Sequence, residues 1–509
     1  MRRFLRLTSI LVVFSSALLC SAAETGALKT DSLLEAVKAG DLAGVKRALQ
    51  QNGDANATEA DGTTALHRAV QLQRLDILQT LIAAGANVNA QNAFGITPLA
   101  FSLTNGNSAI SVQLLRAGAD PKIPVPESGT PLMAAARSGD TEVINALLKA
   151  GVDVNQAEPR TGQTALMLAA AEGHEAATRA LLAAGAKINV KSTREETPLF
   201  FAVRKGDIGV VDALLGAGAD VNERTEVLPG GRNGNRQPNT MTPVPGDSML
   251  VLAIMNAHFG MADFLLKKGA DPNEMGARWT PLHALSRIRD YEEMQYPPPI
   301  VKAGDMDSLD LAKSLLAHGA NPNLRGMTTT ARRDGGDQNY KDLIGATPFF
   351  LAAKSGDVPY MRLLLSAGAD PNIPANDHTT PLMVAAGIGC VPGQWIEPER
   401  DVLATVKVLV EELKADVNAL NDEKETAVQG GVCRNADSVI QYLVDKGAKL
   451  NIKNEDGQTA LDEVTDGINR AVSMNGPRII IFHSPEHTAT LVKKLTEEQL
   501  AAESVTARR

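Results

Sequence analysis

A chain of 509 residues with 44% hydrophobic but only 4% aromatic residues suits thin, stacked layers of Ala, Leu and Val better than an aromatic-rich enzyme core. Its net charge of −9 argues against sequence-independent nucleic-acid binding. Three cysteines in the whole chain exclude a disulfide-rich scaffold.

The chain begins "MRRFLRLTSILVVFSSALLCSAAE", with an Arg-rich start, an apolar run from Leu7 to Leu19 and a small-residue stretch at Ser21-Ala22-Ala23. This is the pattern of a secretory signal peptide over residues 1–23. The bulky Leu19 argues against lipid attachment at Cys20. Cleavage before Glu24 removes Arg2, Arg3 and Arg6 and no acid, so the mature charge becomes −12. No later segment is apolar enough to span a bilayer. The expectation is an exported protein, periplasmic or extracellular, monomeric, with no membrane insertion after cleavage and no nucleic-acid partner.

From residue 63 a phrase recurs: "TALHRAV" at Thr64, "TPLAFSL" at Thr97, "TPLMAAA" at Thr130, "TALMLAA" at Thr164 and "TPLFFAV" at Thr197. It returns at Ser248, Thr280, Thr347, Thr380, Thr426 and Thr459. A second phrase follows each time, as in "LLRAGADP", "LLGAGADVN" and "LLSAGADPN". The Thr predicts an N-cap and the Pro after it a first helical turn. Paired leucines such as Leu214-Leu215 predict the core face of a second helix. The Gly that follows predicts a left-handed helix end. A helix pair this small cannot bury its apolar face alone, so units must stack.

These motifs, at a period near 33 over nearly the whole mature chain, resemble the ankyrin repeat. The resemblance implies an all-α repeat solenoid: an ankyrin helix-turn-helix stack with short β-hairpin fingers that binds proteins, with no chemistry and no cofactor. Twelve units are expected. Residues 24–62 form an N-terminal capping repeat, 63–458 about ten repeats, and 459–509 a C-terminal capping repeat and tail.

The period breaks at insertions near 223–247, 290–308, 325–345 and 389–401. The first and third fall at fingers. The second and fourth fall between helices, as does "SMNGPRIIIFHSP" in the last unit. The three interhelix insertions lie two repeats apart and could form one ridge through Tyr296, Trp395 and Phe482, or three separate loops.

Candidate chemistry is sparse. His67 and His283 occupy the motif's own position, where the ring bonds the preceding Thr region. His483 and His487 are separated by Pro485, so no metal site is expected. Cys390 and Cys433 lie near the ends of neighbouring first helices and can form a bridge or stand as two separate buried thiols. The residue seven places after the Thr lies on the first helix. The basic members are Arg137, Arg204, Arg287 and Lys354, with Lys205 beside Arg204. They suggest a groove for a protein partner with an acidic segment, or merely cations well placed at helix C-termini. Phe94, Arg160, Arg194, Arg278 and Trp279 are expected at fingertips as further contacts. The function expected is non-catalytic protein binding by concave groove and fingers. The alternatives are an envelope spacer, or an enzyme assembled from Asp305, Glu397, Glu399, Asp401 and His483 in the insertions.

Overall fold

The computed structural model describes residues 32–225, 246–276, 279–292, 306–326, 344–389, 399–473 and 485–506. They fall into two compact units, residues 1–158 and 159–509. The unit boundary lies in the finger between the repeats that start at Thr130 and Thr164.

Each repeat is built as its sequence dictates. The hydroxyls of Thr97, Thr197, Ser248 and Thr347 accept hydrogen bonds from the N–H three residues on, and Pro occupies the next position in most units. That satisfies helix-start donors that would otherwise be orphaned. The resulting first helices are short, as in Pro198–Lys205 and Pro348–Lys354. Second helices such as Ser108–Arg116, Ile208–Gly216 and Val358–Ser366 are capped by Asn107, Asp207 and Asp357. First helices pack on first helices and second on second within each unit, giving two layers.

The core lies between the layers. The first Leu of each pair (Leu114, Leu147, Leu181, Leu214, Leu315, Leu364) is fully buried. The second is half-buried in every one of these pairs, so the helix presents one leucine inward per turn. Burying each contributes about 2 kcal/mol. The helix-ending glycines, from Gly85 to Gly447, have φ between +79° and +99°. In the repeat with the fourth insertion Lys414 takes that position at φ +58°, after a π-helical turn at Val408–Glu412.

The Asp-x-Asn after that glycine links repeat to repeat. The Asp carboxylate, or the Asn carboxamide that replaces it, fixes the Asn two residues on, as Asp271 Oδ1 does by accepting from the Asn273 N–H at 2.8 Å. Asn273 then donates from Nδ2 to Gly319 O at 2.8 Å and accepts at Oδ1 from the Asn321 N–H at 2.6 Å. Asn56, Asn89, Asn323 and Asn418 bond the next repeat in the same way. At the C-terminal end Gln499 takes over, donating to Ala448 O and accepting from the Leu450 N–H. Asn323→Ala should therefore cost about 1–2 kcal/mol, the loss of two bonds to backbone. Hydrogen exchange should show it first at the Gly368 turn.

Among the described residues the fingers are turns rather than extended hairpins. Among the described residues β-pairing is limited to isolated bridges such as Thr58 with Thr64 and Arg224 with Ser248. Successive tips are joined by one backbone bond, Ala93 N–H to Asp61 O and Thr193 N–H to Thr161 O, both at 2.8 Å. Two insertions leave from finger bases without disturbing the stack. Thr225 N–H bonds Asp247 O and Gly326 N–H bonds Ala346 O, so each stem closes before residues 226–245 and 327–343 depart.

Two of the three interhelix insertions follow long first helices. Pro281–Glu292 and Ala460–Ser473 run 12 and 14 residues, against six to eight in the other repeats. In the repeat from Thr380 the first helix ends at Ala386 and the second starts at Glu399, inside the stretch assigned to the insertion. Gly387 has φ +134°, and a Cβ there would lie 2.3 Å from Gly430 O. Gly387 and Gly430 thus let two first helices approach closely where an insertion departs, while Gly431 makes room for Ile440 of the second helix. The proposed ridge residues Tyr296, Trp395 and Phe482 lie outside the described residues. The last helix, Pro485–Thr506, continues into the stretch read as tail.

Candidate functional site

Two surfaces carry side chains able to meet a partner: the ends of the first helices and the fingertips. Their sequence-predicted residues separate clearly by position.

On the first helices, Arg137 is exposed in residues 1–158, and Arg204 and Lys205 are exposed in residues 159–509. Arg287 and Lys354 are half-buried, and Met255 at the equivalent place is buried. The five cations therefore do not make one uniform exposed row. Arg204 is the best-defined member. A helical side chain leans toward the helix N-terminus, and its guanidinium lies 5.4 and 5.0 Å from the Phe200 and Phe201 ring centroids. It also reaches to 3.7 Å of the buried Glu196 carboxylate at the finger base.

At the fingertips Phe94 is 71% exposed, and Arg160 and Arg194 are exposed. Trp279 corrects the expectation: it is only 6% exposed. It directly precedes the capping Thr280, and the residue at that position turns inward in repeat after repeat, as Thr63, Glu196, Ala346 and Thr379 do. An apolar side chain just before an N-cap packs against the helix rather than standing free. Phe94 and Arg194 sit two positions further out, at the true tip. Arg278 lies outside the described residues.

Phe94 borders a cavity of about 180 Å³ in residues 1–158, lined also by Asp61, His67, Arg68, Gln71 and Phe101. Arg68 donates to both Glu59 oxygens, at 2.7 and 2.6 Å. That hydrogen bonding holds the Glu59 carboxyl below its usual range. Bonds from Thr63 do the same for Asp61.

His67 and His283 are structural. His67 Nδ1 accepts from the Thr64 N–H at 3.2 Å, so Nε2 carries the proton given to Ile96 O at 2.9 Å. His283 repeats the arrangement with Thr280 and Ala346 O. Burial lowers the pKa of both, His283 to about 4. His487 bonds Asp437 instead, and Thr488 donates to the same carboxylate at 2.7 Å. Among the described residues no group of three or more His, Cys, Asp or Glu is placed to hold a metal ion. No described helix is long and apolar enough to cross a membrane. Cys433 is disulfide-bonded, which excludes a free thiol there; Cys390, the other cysteine of the possible bridge, lies outside the described residues. So do Asp305, Glu397 and His483, while Asp401 is half-buried at the start of a second helix.

One polar centre has no counterpart in the repeat phrase. Arg289 donates from Nε and Nη2 to both oxygens of Asp357, at 2.5 and 2.8 Å, and from Nη1 to Ser308 Oγ at 2.5 Å. Both charged side chains are nearly buried, and Arg289 lies over the Tyr360 ring at 5.5 Å. It ties together both edges of the 293–305 insertion and the next repeat. The only signal in the sequence was an unmatched Arg nine residues after Thr280.

The outer faces of the second helices are differently organised. Their charges pair across repeats: Arg179 and Lys268 with Asp212, Arg362 with Glu412, and Lys446 with Glu411.

Comparison with known proteins accords with this architecture. A model described as "Ankyrin repeats (3 copies)" matches residues 17–92, 33–125, 69–158 and 132–225. Models described as "Ankyrin repeat" match 245–274 and 344–376. Among curated proteins, the chain is 29% identical over 148 residues to alpha-latrocrustotoxin-Lt1a of Latrodectus tredecimguttatus, covering 29% of this chain and 10% of that protein. It is 31% identical over 116 residues to alpha-latroinsectotoxin-Lt1a of the same species, covering 23% and 7%. The matches thus span a tenth or less of those relatives. Among solved structures, the human ASB11 ankyrin repeat domain is similar over 47% of this chain and 98% of its own, at 24% identity and TM-score 0.37. A chain from the complex of a predatory endopeptidase of Bdellovibrio bacteriovorus with an immunity protein is similar over 36% and 97%, at 32% identity and TM-score 0.34. With the capping threonines, the leucine core and the Asn links in place along both units, the chain belongs to the ankyrin-repeat family.

Proposed function

We propose that this chain is a non-catalytic, exported, monomeric scaffold that binds another protein through its first-helix ends and fingers. Ankyrin repeats are generally protein-interaction scaffolds, and the distribution of unsatisfied surface supports that use here. Many outer-helix charges are engaged with each other, across repeats or along one helix. Phe94, Arg160, Arg194 and Lys205 stand exposed on the opposite elements, and the last three make no ion pair among the described residues. Aromatic and Arg side chains on a rigid frame are the groups that anchor protein interfaces at low entropic cost. The basic first-helix positions favour an acidic segment in the partner. Export rests on residues 1–23, and their removal should be visible as a mature N-terminus at Glu24.

Crosslinking in intact cells, followed by mass spectrometry, tests the reading. Enrichment of one or a few proteins over an unrelated exported control is expected. Uniform labelling of abundant envelope proteins would favour a spacer instead.

A further inference from the structure

We propose that the neighbouring fingertips bearing Arg160 and Arg194 form a two-pronged clamp for the carboxylates of an acidic, extended segment of the protein partner. The proposal rests on the protein-binding reading and names the chemistry it would recognise.

The two fingers are fixed against each other. Thr193 donates to Thr161 O from its N–H at 2.8 Å and from its hydroxyl at 3.1 Å. A Cβ on Gly162 would lie 2.9 Å from Thr193 N, so the tips touch backbone to backbone. Arg160 precedes one bonded residue and Arg194 follows the other, which places the two prongs side by side. Both are exposed, and neither forms an ion pair among the described residues.

The two acids on the second finger are already engaged. Glu195 lies 3.6 Å from Lys191. Glu196 is buried at the finger base, where Ser192 bonds it and Arg204 approaches at 3.7 Å. Arg204 thus lies behind the second prong, aimed at the finger from the first helix. Arg160 and Arg194 are thus two exposed guanidinium groups on adjacent tips of a chain whose net charge is −9. A carboxylate-rich segment would be repelled elsewhere and drawn to this place, which sets position as well as attraction. Guanidinium groups suit carboxylates because each can offer two parallel N–H donors.

The test uses the full chain and fluorescence anisotropy with a labelled peptide of alternating Glu and Gly. A Gln-for-Glu peptide and a single-stranded oligodeoxynucleotide of equal charge serve as competitors. The Glu peptide should bind, weaken as salt rises, and lose about tenfold in affinity with R160E/R194E. K493E, on the C-terminal helix, should leave it unchanged. Undiminished binding by R160E/R194E, equal binding of the Gln peptide, or tighter binding of the DNA would overturn the clamp. In-cell crosslinking separates the two levels of inference. Partner capture by R160E/R194E at the wild-type yield overturns the clamp and leaves the protein-binding reading intact. No specific capture by the wild-type chain overturns the reading, and the clamp with it.

Discussion

Lowering the pH from about 6.5 to about 4 should loosen the repeats that start at Thr280 and Thr347 before any other part of the array. His283 is fully buried, with Thr280 Oγ1 at 2.6 Å from Nδ1 and Ala346 O at 2.9 Å from Nε2. Because a carbonyl only accepts, Nε2 carries the proton and Nδ1 accepts from the Thr280 hydroxyl. The neutral ring satisfies both partners, and a second proton would place a charge where no water reaches. Burial accordingly lowers its pKa from 6.5 to about 4. Between those values the unfolded chain binds the proton and the folded chain does not, so stability rises with pH across the window. It is complete above about 6.5 and lost progressively toward 4. The span corresponds to about 3 kcal/mol. Carboxylates such as Glu59, also with lowered pKa, lose their contribution only at lower pH. His283→Ala should cost about 3 kcal/mol at neutral pH by leaving Ala346 O unbonded over a void. It should also flatten the pH dependence between 4 and 6.5. Denaturant midpoints measured across that range check both effects. A variant that keeps the wild-type slope would assign the acid sensitivity elsewhere.

Asp357→Ala should be the other severe substitution, costing about 3–5 kcal/mol. It strands the nearly buried Arg289 guanidinium and removes the cap that the Tyr360 N–H uses at 3.1 Å. Arg289→Lys should recover little, because an ammonium cannot bond both carboxylate oxygens in the same plane. Replacing both partners with apolar residues of similar volume should restore much of the loss. Since repeat arrays unfold in parts, hydrogen exchange at Pro281–Glu292 and Val358–Ser366 is the appropriate measurement. Unchanged protection there in Asp357→Ala would contradict the role given to this ion pair.

The sequence made the repeat frame readable because each phrase is a local device repeated many times. Thr197 caps a helix, Leu214 fills the core and Gly218 ends a helix for reasons that hold within one unit. The Asn links were less legible. "GADVN" signals a turn, but only stacking reveals that Asn222 accepts from the Asp271 N–H, 49 residues away. Trp279 is buried because register within the finger decides facing. One residue before the cap faces the core, whereas Phe94 and Arg194, three before it, face solvent. Arg289 and Asp357 were missed because no second repeat contains the pair, so periodicity gave it no weight. The basic first-helix row was only partly legible. Arg204 and Lys205 are exposed as expected, but the environments of Arg287 and Lys354 depend on neighbouring repeats whose lengths differ.

Partner contact is expected to be confined to first-helix ends and fingers, with outer helices serving only the scaffold. Mapping the crosslinked residues after in-cell capture tests this most directly. The prediction is that crosslinks fall on or beside Arg160, Arg194, Lys205 and the finger around Phe94, with none on Lys268, Lys313 or Lys446 of the second-helix layer. Partner crosslinks concentrated on those second-helix lysines, with the fingers unlabelled, would contradict the account.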